Sequence, residues 1–384
     1  MRPSWTAHAS TREASGSEAV HQHDLRGGRR PGGIRTSPRL VGVSTLEPIA
    51  DRVDAPGELD LPPAHLELGW RPLTDADGDA LFTLVRAIET VDRRPSRQGR
   101  SEVHALLLGE WKDLGRDSLG GFDDAGTLRA YAVVEVRPGD TRTVRAFLRG
   151  GVHPVWRGRG VGRAVLHWME GRGRQKLVET GKDLPARLAV HVDEDARDQR
   201  RLYAAAGFSP VRWYTHMRRD LGAPLPPVEP PAGLEIRPWS PDLDDAVRRA
   251  HNDAFADHWG SEPQTPETWG HGLATRPEWS CVALDVRGRA PEVVGYAMSS
   301  RYEHEWSVLG YSCGYTDRVG VRPAWRGRGL SVAMLAWVMS AYREAGMQYA
   351  CLDVDADNPT GANDLYRRLG YESGHRQVLY SVEM

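Results

Sequence analysis

Two stretches of the chain carry apolar residues at the spacing of an amphipathic helix. In the first stretch, positions i, i+3, i+4, i+7 and i+8 are Val161, Ala164, Val165, Trp168 and Met169. In the second stretch, the same positions are Leu330, Ala333, Met334, Trp337 and Val338, and Tyr342 continues the series. This period gives each helix one apolar face and predicts that the helix packs on a sheet.

Runs rich in β-branched and aromatic residues predict the strands of that sheet. They occur in pairs, one from each half of the chain: 66–73 with 234–239, 128–136 with 292–300, and 187–193 with 349–355. Acidic first turns predict a helix from Thr74 and another from Ser240. Each half closes with a short helix, ending LYAAAGF (202–208) or LYRRLGY (365–371), and further strand. The repeated order predicts an internally duplicated α/β fold with a mixed sheet flanked by helices.

The prolines and glycines divide the chain into segments. Residues 1–60 are rich in Gly, Pro and Arg without a helix or strand period, which predicts a disordered, mildly basic tail. Leu221–Gly233 contains five prolines, which predicts a semi-rigid linker over 221–232. The predicted domains are therefore 65–220 and 233–384. We expect protease cleavage near Pro226–Pro231 to release two folded fragments.

Composition narrows the classes of partner. The formal net charge of −2 over 384 residues argues against nucleic acid as the main partner. No apolar run reaches the roughly 18–20 residues of a membrane span, and the first 45 residues lack the apolar core of a secretory signal. Cys281, Cys313 and Cys351 form no CxxC pair, which indicates reduced thiols in a cytoplasmic protein. We expect no metal site and either a monomer or a homodimer.

One motif lies before each of the two amphipathic helices. VHPVWRGRGVG (152–162) returns as VRPAWRGRGLS (321–331), 169 residues later (321 − 152). A glycine-rich turn between a strand and a helix N-terminus offers free N–H groups to an anion, and arginines can pair with phosphate oxygens. The alternative is a tight turn in which the glycines serve packing only. Two copies in matching contexts favour a phosphate site. Neither copy has the lysine of a Walker loop or the position and third glycine of a dinucleotide fingerprint.

The order of elements and the R-x-x-G-x-G/A turn resemble the GCN5-related N-acetyltransferase (GNAT) family, twice over. Arg157, Gly160 and Gly162 match the family signature in the first copy; Arg326 and Gly329 match it in the second, where Ser331 replaces the usual Gly or Ala. The resemblance covers roughly residues 66–220 and 233–384, and a tandem pair is similar to the mycothiol-synthase-like group of actinobacterial acetyltransferases. It implies two tandem GNAT-like domains that take acetyl-coenzyme A as co-substrate and need no metal.

The resemblance also implies which residues hold the coenzyme. They are Val152, Arg157, Gly158, Arg159, Gly160, Val161 and Gly162 in the first copy, and Val321, Arg326, Gly327, Arg328, Gly329, Leu330, Ser331 and Asn358 in the second. Asn358 stands where family members place an asparagine that hydrogen-bonds the pantetheine arm, or it serves as a helix N-cap, or both. The first copy has Asp195 at that place. This difference favours the C-terminal domain as the active one.

Acetyl transfer needs a proton donor for the thiolate and an acceptor for the amine proton. In the family, the tyrosine of the LYxxxGF motif commonly protonates the thiolate; here the matching residues are Tyr366 and Tyr203, and either ring could instead serve packing alone. Asp317 is a candidate base, together with Glu303 and Glu305. Alternatively, Asp317 and Arg318 form a solvated ion pair without a role.

The expected activity is N-acetyl transfer from acetyl-coenzyme A to a primary amine by direct attack on the thioester. In this family, the first helix and the following loop hold the acceptor, here 88–100 and 251–269. Acids and aromatic residues of the second stretch suit a cationic amine. A small amine, an amino sugar, an aminoglycoside-like compound or a mycothiol precursor would qualify. The rival hypothesis is a non-catalytic protein that binds acyl-coenzyme A as a sensory or structural ligand.

Overall fold

The computed structural model describes residues 46–270, 275–357 and 361–384. The strands of this part of the chain are β1 Gly69–Arg71, β2 Ser118–Phe122, β3 Leu128–Val136, β4 Val144–Val152, β5 Ala186–Asp193, β6 Ser209–Asp220, β7 Leu234–Pro238, β8 Cys281–Asp285, β9 Glu292–Ser300, β10 Cys313–Val321, β11 Tyr349–Asp355 and β12 Glu372–Glu383. The α-helices are α1 Ile49–Arg52, α2 Gly78–Val91, α3 Arg100–His104, α4 Leu114–Asp117, α5 Val161–Glu179, α6 Arg197–Ala205, α7 Asp244–Ala254, α8 Pro266–Trp269, α9 Glu303–Leu309, α10 Leu330–Glu344 and α11 Ala362–Arg368.

All twelve strands belong to one mixed sheet. Their order is β1-β2-β3-β4-β5-β12-β6-β11-β10-β9-β8-β7. The two repeats therefore lie side by side, each with its first strand, β1 or β7, at an outer edge of the sheet. Neighbours are antiparallel except for β4 with β5 and β10 with β11, which are parallel. Helices cover both faces of the sheet. The predicted α/β fold class is therefore confirmed.

The two repeats exchange their last strands at the centre of this sheet. Strand β12, from the second repeat, lies between β5 and β6 of the first, with Gln377 opposite both Asp193 and Tyr214. Strand β6, from the first repeat, lies between β12 and β11 of the second, with Asp353 opposite His216. Each repeat therefore supplies a strand that the other repeat's sheet needs.

The two predicted amphipathic helices pack on the sheet as expected. On α5, Val161, Val165 and Met169 are buried in one apolar cluster with β3, β4 and β5. On α10, Leu330, Met334 and Val338 are buried with β8, β9 and β11 in a second cluster. Helices α2 and α7 bury their apolar sides in two further clusters with β3 and β9. In β3, alternate residues belong to the α5 cluster and to the α2 cluster, so these helices lie on opposite faces.

Residues 46–60 differ from the disordered tail that the composition predicts. Ile49 and Val53 are 2% and 3% exposed and belong to the same apolar cluster as α5. Their i, i+4 spacing puts both side chains on one side of α1, and burial of two branched apolar side chains offsets the entropy cost of ordering the segment. The part of the predicted tail within residues 1–45 lies outside the described residues.

Loops dock reciprocally between the repeats. Glu262 of the second repeat accepts hydrogen bonds from the backbone N–H groups of Thr141 (2.7 Å), Arg142 (3.1 Å) and Thr143 (2.9 Å) of the first. In return, Nε2 of His304 in the second repeat lies 3.0 Å from the carbonyl oxygen of Arg97 in the first. The carboxylate satisfies three N–H groups at once, which fixes the β3–β4 connection against the other repeat.

The strand exchange changes what cleavage of the proline-rich linker should do. Residues 227–230 are exposed and outside regular secondary structure, as a cleavable linker requires. However, β6 bonds only to β11 and β12, which both follow the linker. A chain that is cut in the linker keeps the hydrogen bonds of β6 with both of these strands.

We therefore expect the two fragments to stay associated after cleavage. A protease site inserted between Val228 and Glu229 should be cut fully, and the nicked protein should elute from size exclusion at the volume of the intact chain. The fragments should separate only in denaturant. Two separate folded fragments in native buffer would show that the exchanged ladders do not hold the repeats together.

Candidate functional site

Each repeat has a cleft where its two parallel strands diverge. Strands β4 and β5 pair only over Val144–Phe147 and Ala186–Ala189, and β10 and β11 only over Cys313–Tyr315 and Tyr349–Cys351. Beyond these points the carboxyl-terminal parts of the strands separate. Ligands of α/β proteins commonly bind at this end of parallel strands. In the second repeat, a register shift between Thr316 and Arg318 adds a bulge at Asp317; β4 pairs with β3 without one.

The repeated arginine–glycine turn borders each cleft. Gly158 and Gly160 have φ values of 76° and 92°, and Gly327 and Gly329 have φ values of 74° and 81°. This left-handed conformation is open to glycine at little cost and brings the chain directly into a helix. Gly160 caps α5 and Gly329 caps α10. The first N–H groups of both helices are thus free of helical partners, as an anion site requires.

The cleft of the second repeat, which we call the second cleft, collects most of the residues that the sequence assigns to it. Its lining includes Val321, Arg326, Gly327, Leu330, Ser331 and Tyr366, together with Phe255 and His258. Arg328 lies beside it, with its guanidinium 5.2 Å from the ring centre of Trp325. Asn358 lies outside the described residues.

The turn arginines of the two repeats have different partners. Arg157 donates to both carboxylate oxygens of Asp92, at 2.5 and 3.1 Å, and Arg159 lies 3.8 Å from Glu67. Arg326 instead donates to the carbonyl oxygens of Ala254 (2.6 Å) and Val321 (3.2 Å). Within residues 46–270, 275–357 and 361–384, no carboxylate lies within 4.0 Å of Arg326 or Arg328. The first turn is neutralised internally, whereas the second keeps its positive charge.

The two motif tyrosines differ in burial and in surroundings, since Tyr366 is buried and Tyr203 is half-buried. Tyr366 is 5% exposed, lines the second cleft and packs edge-on against Tyr371 at 5.7 Å. Burial raises the pKa of Tyr366 above its ordinary value, so the phenol stays protonated at neutral pH. Burial also raises the pKa of Tyr203, to about 12. Tyr203 packs against Phe208 at 5.7 Å and lines the cleft of the first repeat.

His258 belongs to the stretch 251–269 that the sequence analysis assigns to the acceptor, and the structure places it in the second cleft. It is 8% exposed, and its ring packs edge-on against Phe255 at 4.4 Å. Burial, helped by the nearby charge of Arg326, lowers the pKa of His258 to about 4, so the imidazole is neutral at pH 7. Neither ring nitrogen has a hydrogen-bond partner among the described residues. A ligand in the second cleft would meet an unsatisfied imidazole.

The structure separates the three candidate bases. Asp317 and Arg318 are 2% and 3% exposed, so the alternative of a solvated pair is wrong. Asp317 does not line the second cleft; its Oδ1 accepts a hydrogen bond from the Tyr302 hydroxyl at 2.7 Å. Glu303 is exposed and pairs with Arg301. Glu305, in contrast, is buried and lines a polar cavity between the repeats.

We call this polar cavity the junction chamber. The first repeat contributes Glu89, Arg94, Ser96, Arg97, Gln98, His191 and Asp193, and the second contributes Glu305, Asp353, His375 and Gln377. The predicted acceptor stretch 88–100 therefore faces residues of the second repeat. Asp353 lies on β11 two residues beyond Cys351, where the pairing of β11 with β10 ends. The chamber thus lies on the diverging part of β11.

The other predicted acceptor stretch, 251–269, differs from the sequence expectation. Its aromatic rings hold arginines of the protein itself: Trp259 lies 4.7 and 4.5 Å from the guanidiniums of Arg187 and Arg212, and Trp269 lies 4.2 Å from that of Arg318. Asp253 pairs with Arg322 at 3.1 Å, and Glu262 holds the loop described above. Trp259 and Glu262 thus contact the first repeat, whereas Trp269 and Asp253 contact the second repeat itself.

Within the described residues, no group of three His, Cys, Asp or Glu side chains could hold a metal ion. The same part of the chain contains no helix with the length and apolarity that a membrane span requires.

A twelve-stranded sheet with two splayed strand pairs, each followed by a glycine-rich turn at a helix N-terminus, is the arrangement expected of a tandem acyltransferase. Comparison with known proteins agrees. Residues 245–371 match the family model of the acetyltransferase (GNAT) family. Mycothiol acetyltransferases are similar over most of their length: that of Streptomyces scabiei is 32% identical, with 81% of this chain and 93% of the relative covered. That of Nocardia farcinica is 31% identical, with 82% and 97% covered.

Solved structures give the same result. A GCN5-related N-acetyltransferase from Sphaerobacter thermophilus is 28% identical and superposes with a TM-score of 0.62, covering 84% of this chain and 97% of that chain. A tandem GNAT protein from the clavulanic acid biosynthesis pathway shares the fold, with 18% identity, a TM-score of 0.60 and coverage of 83% and 98%. The chain belongs to the GNAT family and is an N-acetyltransferase. The resemblance drawn from the repeated turn is confirmed.

The buried neutral state of His258 should make stability depend on pH. The unfolded chain takes up a proton at this residue below about pH 6.5, whereas the folded protein does so only near its pKa of about 4. Acidification from pH 7.5 to 5.0 should therefore cost roughly 1–2 kcal/mol of folding free energy at this one residue. His258→Gln should lose less stability than the wild type over this range in urea denaturation. His65→Gln, at an exposed position, is the control; the same loss in all three proteins would contradict a buried, neutral His258.

Proposed function

We propose that the second repeat is the active one and that its cleft binds acetyl-coenzyme A for transfer of the acetyl group to a small-molecule primary amine. The observation that carries this proposal is the charge at the two turns. Arg157 is neutralised by Asp92, whereas Arg326 donates to carbonyl oxygens and pairs with no carboxylate among the described residues, beside an open cleft lined by Tyr366. We further propose that residues 65–220 and 233–384 are the two domains, with 221–232 as their linker.

The pyrophosphate of the coenzyme would bind at the second turn. The N–H groups that open α10 and the guanidiniums of Arg326 and Arg328 supply donors and positive charge. His258 lines the same cleft, is neutral and has no hydrogen-bond partner among the described residues, so it can donate one further hydrogen bond. The pantetheine arm would follow the diverging strands toward Tyr366.

In the transfer step, the neutral amine attacks the thioester carbonyl carbon. A C–N bond forms, the C–S bond breaks, and the electron pair leaves with sulfur. A backbone N–H of the diverging end of β10 would stabilise the oxyanion. Tyr366 then protonates the thiolate, since its buried phenol keeps its proton at neutral pH. The amine proton leaves to a carboxylate, directly or through water.

The acceptor would enter through the junction chamber. Glu305 and Asp353 give this cavity carboxylates on the second repeat's side, and Asp353 lies next to the strand divergence. A cationic amine is held by such carboxylates until it loses its proton. The chamber's polar lining suits a hydroxylated acceptor. The similarity to mycothiol acetyltransferases supports a mycothiol precursor as the acceptor; an aminoglycoside-like amine is the second candidate, favoured by the same polar, acidic lining.

Coenzyme binding should depend on one turn far more than on the other. Arg326→Ala removes a charge-assisted partner of the phosphates and should weaken acetyl-coenzyme A binding by roughly 10- to 100-fold in calorimetry. Arg157→Ala is the matched control at the equivalent position and should change the affinity by less than about 3-fold, because Asp92 already neutralises Arg157. Equal losses in the two variants would assign the coenzyme to both repeats.

Turnover should depend on the hydroxyl of Tyr366. Tyr366→Phe keeps the ring that packs against Tyr371 but removes the proton donor, so kcat should fall by roughly 100-fold or more with little change in KM for acetyl-coenzyme A. A panel of amines scored by release of free thiol measures both constants. Tyr203→Phe is the control in the other repeat and should retain activity. Unchanged kcat in Tyr366→Phe would show that this ring serves packing alone.

A further inference from the structure

A buried arginine occurs at the same place in both repeats. Arg149 on β4 and Arg318 on β10 are 169 residues apart (318 − 149), the same separation as the two turns. Each stands three residues before the valine that ends its strand, Val152 or Val321. Each therefore occupies the part of the strand that diverges from its parallel neighbour.

The two arginines differ in how their donors are satisfied. Arg318 donates from Nη1 to the carbonyl oxygen of Trp269 at 2.8 Å and lies over the indole of the same residue, so that only its Nε lacks a partner among the described residues. Arg149 is 9% exposed, and its Nε and Nη1 have no hydrogen-bond partner among the described residues. The first repeat thus keeps a buried guanidinium whose donors remain available. A buried donor without a partner is destabilising, and more so when it is charged, so a ligand that accepts from it would gain that interaction.

The side chains around Arg149 carry more positive than negative charge. Glu135 is the nearby buried carboxylate, and it already takes hydrogen bonds or ion pairs from Arg137 and from Lys112 at 3.5 Å. Three cations therefore share one carboxylate. On the other side of the cleft, Glu89 accepts from the backbone N–H of Gln98 at 2.8 Å and pairs with Arg86 at 3.3 Å. The carboxylate of Glu89 therefore has its partners in its own helix and in the loop that follows it.

The cavity beside Arg149, which we call the first cleft, combines this cation with apolar walls. Val85, Ile88 and Leu148 line it, together with Tyr203 and the guanidinium-bearing Arg94. The Arg94 guanidinium lies 3.8 Å from the carboxylate of Asp92 and 4.0 Å from that of Asp193. An anionic group with a short hydrocarbon part matches such a lining, because the guanidinium takes the charge and the aliphatic side chains take the hydrocarbon.

We propose that the first cleft is a binding site for a short aliphatic carboxylate, held by Arg149, and that it is separate from the coenzyme site of the second repeat. Guanidinium and carboxylate are both planar and can form two parallel hydrogen bonds. A coenzyme phosphate does not fit equally well, since its turn in this repeat already holds the Asp92 carboxylate. The first cleft borders the junction chamber, since Glu89, Arg94, Gln98 and His191 line both, and the proposed ligand is a free acid at its Arg149 end.

Propionate is the probe that tests this proposal, with propionamide as its neutral isostere. Calorimetry or ligand-observed NMR on the wild-type chain should detect propionate binding and at least 10-fold weaker binding of propionamide. Arg149→Met should reduce the propionate affinity by roughly 10- to 100-fold, the loss of a charge-assisted pair. Arg201→Met, which removes an exposed arginine of the same repeat, should leave the affinity unchanged.

Two further measurements distinguish a carboxylate site at Arg149 from a loss of folding and from binding in the second cleft. Arg149→Met replaces a buried charge, two of whose donors lack partners among the described residues, by an apolar side chain, so without ligand it should melt no lower than the wild type. If it fails to fold, Arg149→Lys keeps the charge, loses the planar pair and should still weaken propionate binding. Propionate should still bind in the presence of saturating acetyl-coenzyme A. Arg149→Met should leave the affinity for acetyl-coenzyme A unchanged. Both results are expected whether or not the second repeat proves to be the active one.

Several results would overturn the proposal. These are absence of propionate binding to the wild type, equal binding of propionamide, undiminished binding to the folded Arg149 variants, or displacement of propionate by acetyl-coenzyme A. The last result would place the carboxylate in the coenzyme cleft.

Discussion

The reciprocal exchange of β6 and β12 is the constraint on which the rest of the molecule depends. Because each exchanged strand lies between two strands of the other repeat, neither half-sheet is continuous without the other. The exchange also fixes the distance between the two diverging strand pairs. That distance brings stretch 88–100 against Glu305 and Asp353, so the junction chamber is a consequence of the ladder at the centre of the sheet.

Duplication gave both repeats the same framework, and charge now distinguishes them. At the turn, Asp92 neutralises Arg157, whereas the corresponding arginine of the second repeat donates to carbonyl oxygens. At the divergent strand, Arg318 donates to a carbonyl oxygen, whereas Arg149 has donors without partners among the described residues. A single carboxylate or carbonyl at these places decides whether a site is satisfied from within or can take a ligand. The two repeats therefore share a fold while offering different chemistry.

Local pattern predicted those parts of the structure that local forces determine. The helical period of Val161–Met169 and of Leu330–Val338 and the glycines of the turns followed from the sequence, whereas Tyr366 was assigned to the site through the family resemblance. Strand β2 escaped prediction because Gly120 and Gly121 interrupt its β pattern; its partners, not its propensity, make it a strand. The strand exchange and the pairing of Arg157 with Asp92 depend on contacts between residues distant in sequence, which no periodicity encodes. Arg149 carried a signal, since it repeats at the spacing of the turns, but only the structure shows that its donors lack partners within the described part of the chain.

The position of β12 has a consequence for how the chain is made. The residues of β12 that pair with β5 are translated long after it; Gln377 and Asp193, for example, are 184 residues apart. A ribosome adds on the order of 5–20 residues per second, so β5 and β6 wait many seconds with open edges while the second repeat is synthesised. An unpaired edge is a template for pairing with other chains. The first repeat therefore most needs a chaperone during translation, before β12 has been synthesised. Charged residues on β6, such as Arg212 and Arg218, limit its aggregation during this time.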